Sequence, residues 1–107
     1  MEEITSKQMN QPIVSIIIPH FNGEKILSDC LKSLQASTYK NKEILIVDNG
    51  STDQSISLVE SQFNEVKIIK SSTNRGYAGG CNLGAENANG EYLVFLNNDT
   101  IQQPNWI

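Results

Sequence analysis

Glu43-Ile44-Leu45-Ile46-Val47-Asp48-Asn49-Gly50-Ser51-Thr52-Asp53 is the stretch that decides the fold. Ile44 to Val47 are apolar without alternation, which suits a strand covered on both faces, and such strands belong to parallel sheets with helices above and below. The run stops at the polar turn Asp48-Asn49-Gly50. Ser51, with Gln54 three residues on, makes a capping box, and Ile56, Val59 and Phe63 then supply an apolar helical face. A second helix is therefore expected to start at the carboxyl end of this second strand.

The same alternation extends in both directions. Upstream, Val14, Ile16, Ile17 and Ile18 form a β-branched run closed by Pro19, read as strand one. After the turn His20-Phe21-Asn22-Gly23, apolar residues recur at Ile26, Leu27, Cys30, Leu31 and Leu34, one stripe of a first helix. Downstream, Val66, Ile68 and Ile69 read as strand three, followed by a loop from Ser71 to Gly76. A third helix then starts near Tyr77 with a stripe of Ala78, Cys81, Ala85 and Ala88. Gly79, Gly80 and Gly84 fall inside it at about 1 kcal/mol each relative to alanine. That cost points to close packing on the sheet or close approach to a ligand. Tyr92 to Leu96 form strand four, which ends in Asn97-Asn98-Asp99, and Pro104 opens a further helix. Strands alternating with helices predict an α/β fold with a mainly parallel sheet and right-handed crossovers.

A chain of 107 residues carries one core, since single domains commonly take about 100 to 150 residues. It is read as a polar leader over residues 1–11 followed by one domain over residues 12–107. Eight Lys and Arg against twelve Asp and Glu give a net charge of -4, the opposite of a nucleic-acid-binding footprint, so no nucleic acid is expected as a partner. No apolar run approaches the roughly 18 residues of a membrane span, and Met1 to Gln11 lack the pattern of a secretory signal. Cys30 and Cys81 have no CxxC or Cys/His spacing and are read as reduced, buried and intracellular.

In open parallel sheets ligands bind beyond the carboxyl ends of the strands, where strand order reverses. Those ends carry His20-Phe21-Asn22, Asp48-Asn49, Asn74-Arg75 and Asn97-Asn98-Asp99. Asp48 can accept a hydrogen bond from a ribose or a base imide, or equally from the turn and helix that follow it. Asp99 is an oxygen ligand of the kind magnesium or manganese takes, often with substrate phosphates filling the remainder, but Asn97, Asn98 and Asp99 also suit a plain turn. Arg75, the only arginine, can stack on a base, fork onto a phosphate or stand solvated. Phe21 and Tyr77 are aromatics able to stack on a base or to pack. His20, the only histidine, has no nucleophile placed for a triad and no second histidine to share a metal, and ranks below the others.

Four blocks taken together resemble the ordered motifs of family 2 glycosyltransferases. They are Val14-Ser15-Ile16-Ile17-Ile18-Pro19-His20-Phe21-Asn22, Ile46-Val47-Asp48-Asn49-Gly50-Ser51-Thr52-Asp53, Asn74-Arg75-Gly76-Tyr77-Ala78-Gly79-Gly80-Cys81-Asn82-Leu83-Gly84 and Phe95-Leu96-Asn97-Asn98-Asp99-Thr100. The likeness spans about Pro12 to Trp106, and its last two blocks look most like the branch that includes bacterial rhamnosyltransferases. It implies a GT-A fold, a Rossmann-like three-layer αβα sandwich, of which this chain is the amino-terminal portion, truncated at the carboxyl end. The implied activity is inverting transfer of a sugar from a UDP- or dTDP-linked donor to a hydroxyl of a glycan or lipid-linked acceptor.

The same resemblance assigns site residues. Pro19 and Phe21 would line the base pocket, Asp48 would bond the base, and Arg75 would lie beside the base or diphosphate. Asn82, Asn97 and Asn98 join the nucleotide-sugar site, and Asp99 would hold Mn2+ or Mg2+ as the last acid of a D-x-D-like motif whose first position is Asn97. The family's base lies in the second half of its domain, so no catalytic residue is assigned and the fragment alone is expected to be inactive. The implied location is cytoplasmic, at the cytoplasmic face of a membrane where carboxyl-terminal segments attach it. Under the family's strand order the fourth strand is left with an open edge, which favours self-association. Two other readings compete. A nicotinamide-dependent enzyme lacks its G-x-G-x-x-G here, since the first turn has only Gly23. A non-catalytic α/β nucleotide-binding or interaction module differs in transferring nothing.

Overall fold

A computed structural model describes residues 12–106, so the expected leader over residues 1–11 lies outside the described residues. The elements are β1 (Val14–His20), α1 (Glu24–Gln35), β2 (Lys42–Asp48), α2 (Ser55–Gln62), β3 (Lys67–Lys70), α3 (Gly76–Glu86) and β4 (Tyr92–Phe95). All pairings are parallel, in the order β3-β2-β1-β4. No helix among the described residues is long and apolar enough to cross a membrane.

Both faces of the central strands are covered. Val14, Ile16 and Ile18 of β1, with Ile44 and Ile46 of β2, pack against Leu27, Cys30, Leu31 and Leu34 of α1 and Val59 of α2. On the other face Ile17, Leu45 and Val47 meet Leu83 and Ala85 of α3. The result is three layers, with α1 and α2 on one side and α3 on the other. Each fully buried aliphatic side chain contributes about 1.5–3 kcal/mol. Ile26, expected in the α1 stripe, is instead 48% exposed, because it lies a quarter-turn from the line through Leu27, Leu31 and Leu34.

β1 continues through Pro19 to His20, one residue past the expected stop. A proline inside a central strand ordinarily forfeits a ladder bond. Here β4 pairs only with Val14 to Ile17. The Ile17 carbonyl accepts from Leu96 on that side, and the Pro19 nitrogen, two residues on, points the same way beyond the end of β4. No ladder donor is lost.

The expected Ser51 capping box is absent. α2 starts at Ser55, whose N–H bonds Asp53 Oδ1 at 3.0 Å. Ser51 Oγ instead accepts from the Asn22 N–H. The cause is Asn22, which sits at φ 53° and presents Oδ1 to the N–H groups of Thr52 and Asp53. Residues 51–54 wrap around that carbonyl rather than coil into a first turn. Gly23 N–H to Asp53 Oδ2 at 2.7 Å and Gln54 N–H to Glu24 Oε1 at 3.0 Å complete a clasp between the loops after β1 and β2.

The α3 stripe also differs from expectation. Ala78 is exposed and Cys81 only half-buried, while Gly80 and Gly84 are the buried positions. Helix three lays Gly80 and Gly84 on the sheet with Ala85 beside them, while Ala78 turns away. Pro104 and Asn105 form a turn, not the start of a helix, and the Pro104 carbonyl accepts from Thr38 N–H beyond α1. Both cysteines are free. Burial pushes the Cys30 thiol up, against the thiolate form.

Candidate functional site

The chain runs outward from β1 to β2 to β3 along one face and returns through α3 on the other face to place β4 beside β1. The switch point is thus between β1 and β4, and at its carboxyl end lies a cleft of about 270 Å³. Pro19, His20 and Phe21 line it from the end of β1, Asn49 from the end of β2, Asn74 from the loop before α3, Gly76 and Tyr77 from the first turn of α3, and Asn97 and Asn98 from the end of β4. A larger hollow of about 430 Å³ lies at the amino end of β2 among Lys40, Lys42, Glu43 and Glu65. That is the wrong end of a parallel sheet for a ligand, and its charges are of mixed sign.

Of the sequence candidates, Pro19, Phe21, Asn97 and Asn98 line the cleft together. Phe21 and Tyr77 are each 48% exposed there, two aromatic faces open to a ligand. Asp48 lies just behind, buried at the end of β2, with Oδ1 accepting from the Ser51 N–H at 2.9 Å. Among the described residues its second oxygen has no donor. Arg75 is exposed and outside the lining, its Nε donating to Ser71 Oγ at 3.2 Å. Asn82 is exposed on α3, two residues from Gly80 and Gly84 and so on the face turned away from the sheet.

Asn49 and His20 are the residues the sequence reading undervalued. Asn49, 4% exposed, accepts from the Arg75 N–H and donates to the Gly76 carbonyl, tying the start of α3 to the end of β2. His20, 1% exposed, joins Ser55 Oγ on one side and Asn98 Nδ2 on the other, both at 2.9 Å. Its signal in the sequence was position alone: the residue after a buried strand, on the same edge as the candidates.

Asp99 stands exposed in the turn after β4, which Thr100 Oγ1 closes onto the Asn97 carbonyl at 2.9 Å. Among the described residues no three His, Cys, Asp or Glu side chains come together as a metal-holding group. One free carboxylate flanked by two amides does not fit a closed zinc site. It fits a hard divalent cation that draws its remaining ligands from phosphates and water.

Burial depresses the His20 pKa more than Asp53 and Asp48, the two carboxylates facing it, raise it. The neutral ring's contribution to stability is therefore complete above the ordinary value of 6.5. It is lost as pH falls through 6.5 toward the lower folded-state value, because the unfolded chain takes up the proton more readily. Thermal melts between about pH 7 and about pH 5.5 should show stability falling with acid in the native chain, and a flatter profile in His20→Gln. Equal slopes would remove His20 as the source.

Residues 15–107 match the family model described as Glycosyl transferase family 2. The chain belongs to that family. It is 38% identical over 94 residues to an uncharacterised glycosyltransferase of Haemophilus influenzae, covering 85% of this chain and 38% of the relative. It is 34% identical over 98 residues to the glycosyltransferase GlyG of Streptococcus pneumoniae, covering 89% and 33%. Among solved structures, S. aureus TarS in complex with UDP superposes with a TM-score of 0.79 at 31% identity, over 86% of this chain and 29% of that one. The mannosyltransferase PcManGT of Pyrobaculum calidifontis, in complex with GDP-Man and Mn2+, gives 0.77 at 26% identity, over 85% and 28%. The three-layer parallel architecture of this family 2 chain is the GT-A fold. The chain spans about a third of the length of the curated relatives it matches.

Proposed function

We propose that this chain is the donor-binding part of an inverting, cytoplasmic glycosyltransferase that uses a UDP- or dTDP-linked sugar and a glycan or lipid-linked acceptor. The observation that carries the reading is the cleft at the β1/β4 switch point, lined by Phe21, Tyr77, Asn97 and Asn98, with Asp48 buried beside it at the end of β2 and Asp99 exposed in the turn next to Asn98. The base lies between Phe21 and Tyr77, with its imide N–H on the free oxygen of Asp48. Asn97 and Asn98 meet hydroxyls of ribose or sugar, Arg75 swings from Ser71 toward the diphosphate, and Asn82 is the outermost contact. That TarS is found in complex with UDP, and the mannosyltransferase with GDP-Man and Mn2+, supports a nucleotide-sugar donor and a divalent cation as ligands of this family 2 chain. Asp99 would hold Mn2+ or Mg2+, which when bound neutralises charge on the leaving diphosphate. The reading assigns these residues to donor binding and none to deprotonation of the acceptor.

Calorimetric titration of UDP and dTDP with Mn2+ or with EDTA tests the reading. Binding should require the cation, and Asp99→Ala should weaken it by at least about tenfold, the scale of one lost charge-assisted contact. Binding that ignores both EDTA and the substitution would leave the non-catalytic nucleotide-binding module as the better description.

β4 is an edge strand among the described residues, and its Tyr92, Leu93 and Phe95 are 61%, 41% and 42% exposed. We propose that copies of this chain associate through that edge. Light scattering should show the mean mass rising with concentration, and a constant monomer mass would refute the proposal.

A further inference from the structure

A line of hydrogen bonds, buried at its centre between His20 and Ser55, runs from the clasp to the cleft, and both of its ends dictate the same arrangement of protons. At the inner end Asp53 Oδ1 accepts from the Ser55 hydroxyl. Its carboxyl is pushed up by burial, but hydrogen bonds from Ser55 and Gly23 outweigh this and hold it below the usual range, so it is an acceptor only. With its one proton committed to Asp53, Ser55 Oγ can only accept from His20 Nε2, 2.9 Å away. At the outer end Asn98 Nδ2 can only donate, so His20 Nδ1, 2.9 Å away, must accept. The two constraints are independent and agree on a neutral ring protonated at Nε2.

An amide whose nitrogen faces inward turns its oxygen the other way. Asn98 lines the cleft, and among the described residues its Oδ1 receives no hydrogen bond. We propose that His20 is a positioning residue which, through this line, fixes Asn98 with its carbonyl oxygen presented to the cleft as an acceptor for a ligand hydroxyl. The role deepens the donor-site reading and rests on it. Without the imidazole acceptor the Asn98 amide is free to turn, and either its oxygen or its nitrogen meets the ligand. Ser55 and Asp53 then serve the site from beneath, although neither lines it.

Nitrogen-15 spectra of the imidazole in the labelled chain, without ligand and near neutral pH, should show Nε2 protonated and Nδ1 bare. Titrations of UDP and of UDP-N-acetylglucosamine with Mn2+ form the second arm. His20→Phe, which fills the space but bonds nothing, should weaken binding about five- to tenfold, the worth of one oriented hydrogen bond. His20→Gln, whose amide accepts on one side and donates on the other, should recover most of it. A loss already seen with UDP places the hydroxyl on ribose, and one seen only with the sugar nucleotide places it on the sugar. Protonation at Nδ1, or affinities of His20→Phe equal to the native chain's, would overturn the proposal. Failure of the native chain to bind either nucleotide would overturn the donor-site reading and this role together. The imidazole spectrum, read on the unsubstituted chain, separately upholds or refutes the His20–Asn98 geometry.

Discussion

Gly84→Val should cost this fold about 3 kcal/mol or more, at the top of the range for overpacking a buried contact. A Cβ at Gly84 would sit 2.4 Å from Ile17 Cγ2 and 3.1 Å from Val47 Cγ2. Neither neighbour can yield. Ile17 is in β1 and Val47 in β2, both fully buried at the centre of the sheet, so α3 must lift off or the strands must bend. Valine adds two further methyl groups to that collision. Replacing a glycine by valine on an open helical surface would gain a few tenths of a kcal/mol, so the sign of the effect distinguishes close packing from mere helix propensity. Total stability of a domain is about 5–15 kcal/mol. A melt followed by circular dichroism should drop by roughly 4–8 °C per kcal/mol in a domain of this size. Asn82→Ala, on the opposite face of α3, should stay within about 0.5 kcal/mol of the native chain. A Gly84→Val protein that melts with the native chain would mean α3 does not lie on the sheet as described.

The glycine cost in α3 was legible as a demand for close packing, because three glycines in one helical stretch need a compensating contact. Which face they occupy was not, since alanines and glycines share the stretch and only the opposing Pro19, Ile17 and Val47 choose between them. The buried runs at Ile16 to Ile18 and Ile44 to Val47 announced the central strands, as unbroken apolar sequence does when both faces are covered. Pro19 was misjudged because its tolerance depends on where β4 ends, which is a tertiary fact. The Ser51 capping box failed for a similar reason: a local motif lost its donors to the side chains of Asn22 and Glu24, some thirty residues upstream. The site was legible as an edge, through the polar residues that close each strand. Its inner wiring was not. His20 was judged by what it could catalyse, while its place is decided by Ser55 and Asn98, residues that sequence distance hides.

Asp48→Asn should separate the two roles that the sequence left open for this carboxylate. The amide oxygen of the variant can still accept from the Ser51 N–H, the bond Asp48 Oδ1 makes at 2.9 Å, so the turn into the clasp and the melting temperature should change little. The second oxygen becomes an NH2 group. If that oxygen receives the imide N–H of uracil or thymine, donor now meets donor in a poorly hydrated place, for Asp48 is 7% exposed. Loss of a hydrogen bond to a charged group is worth about 1.5–3 kcal/mol, so UDP and dTDP should bind about 10- to 100-fold more weakly in calorimetry with Mn2+. Cytosine carries a bare acceptor where uracil carries its imide proton. CDP should therefore lose much less than UDP and can overtake it in the variant, a reversal that general damage to the cleft would not produce. Asp48→Ala is the counterpart: it removes the Ser51 bond as well and should lower both stability and affinity for every base. Unchanged UDP affinity in Asp48→Asn would restrict Asp48 to holding the turn and would move base recognition to the aromatic walls, Phe21 and Tyr77.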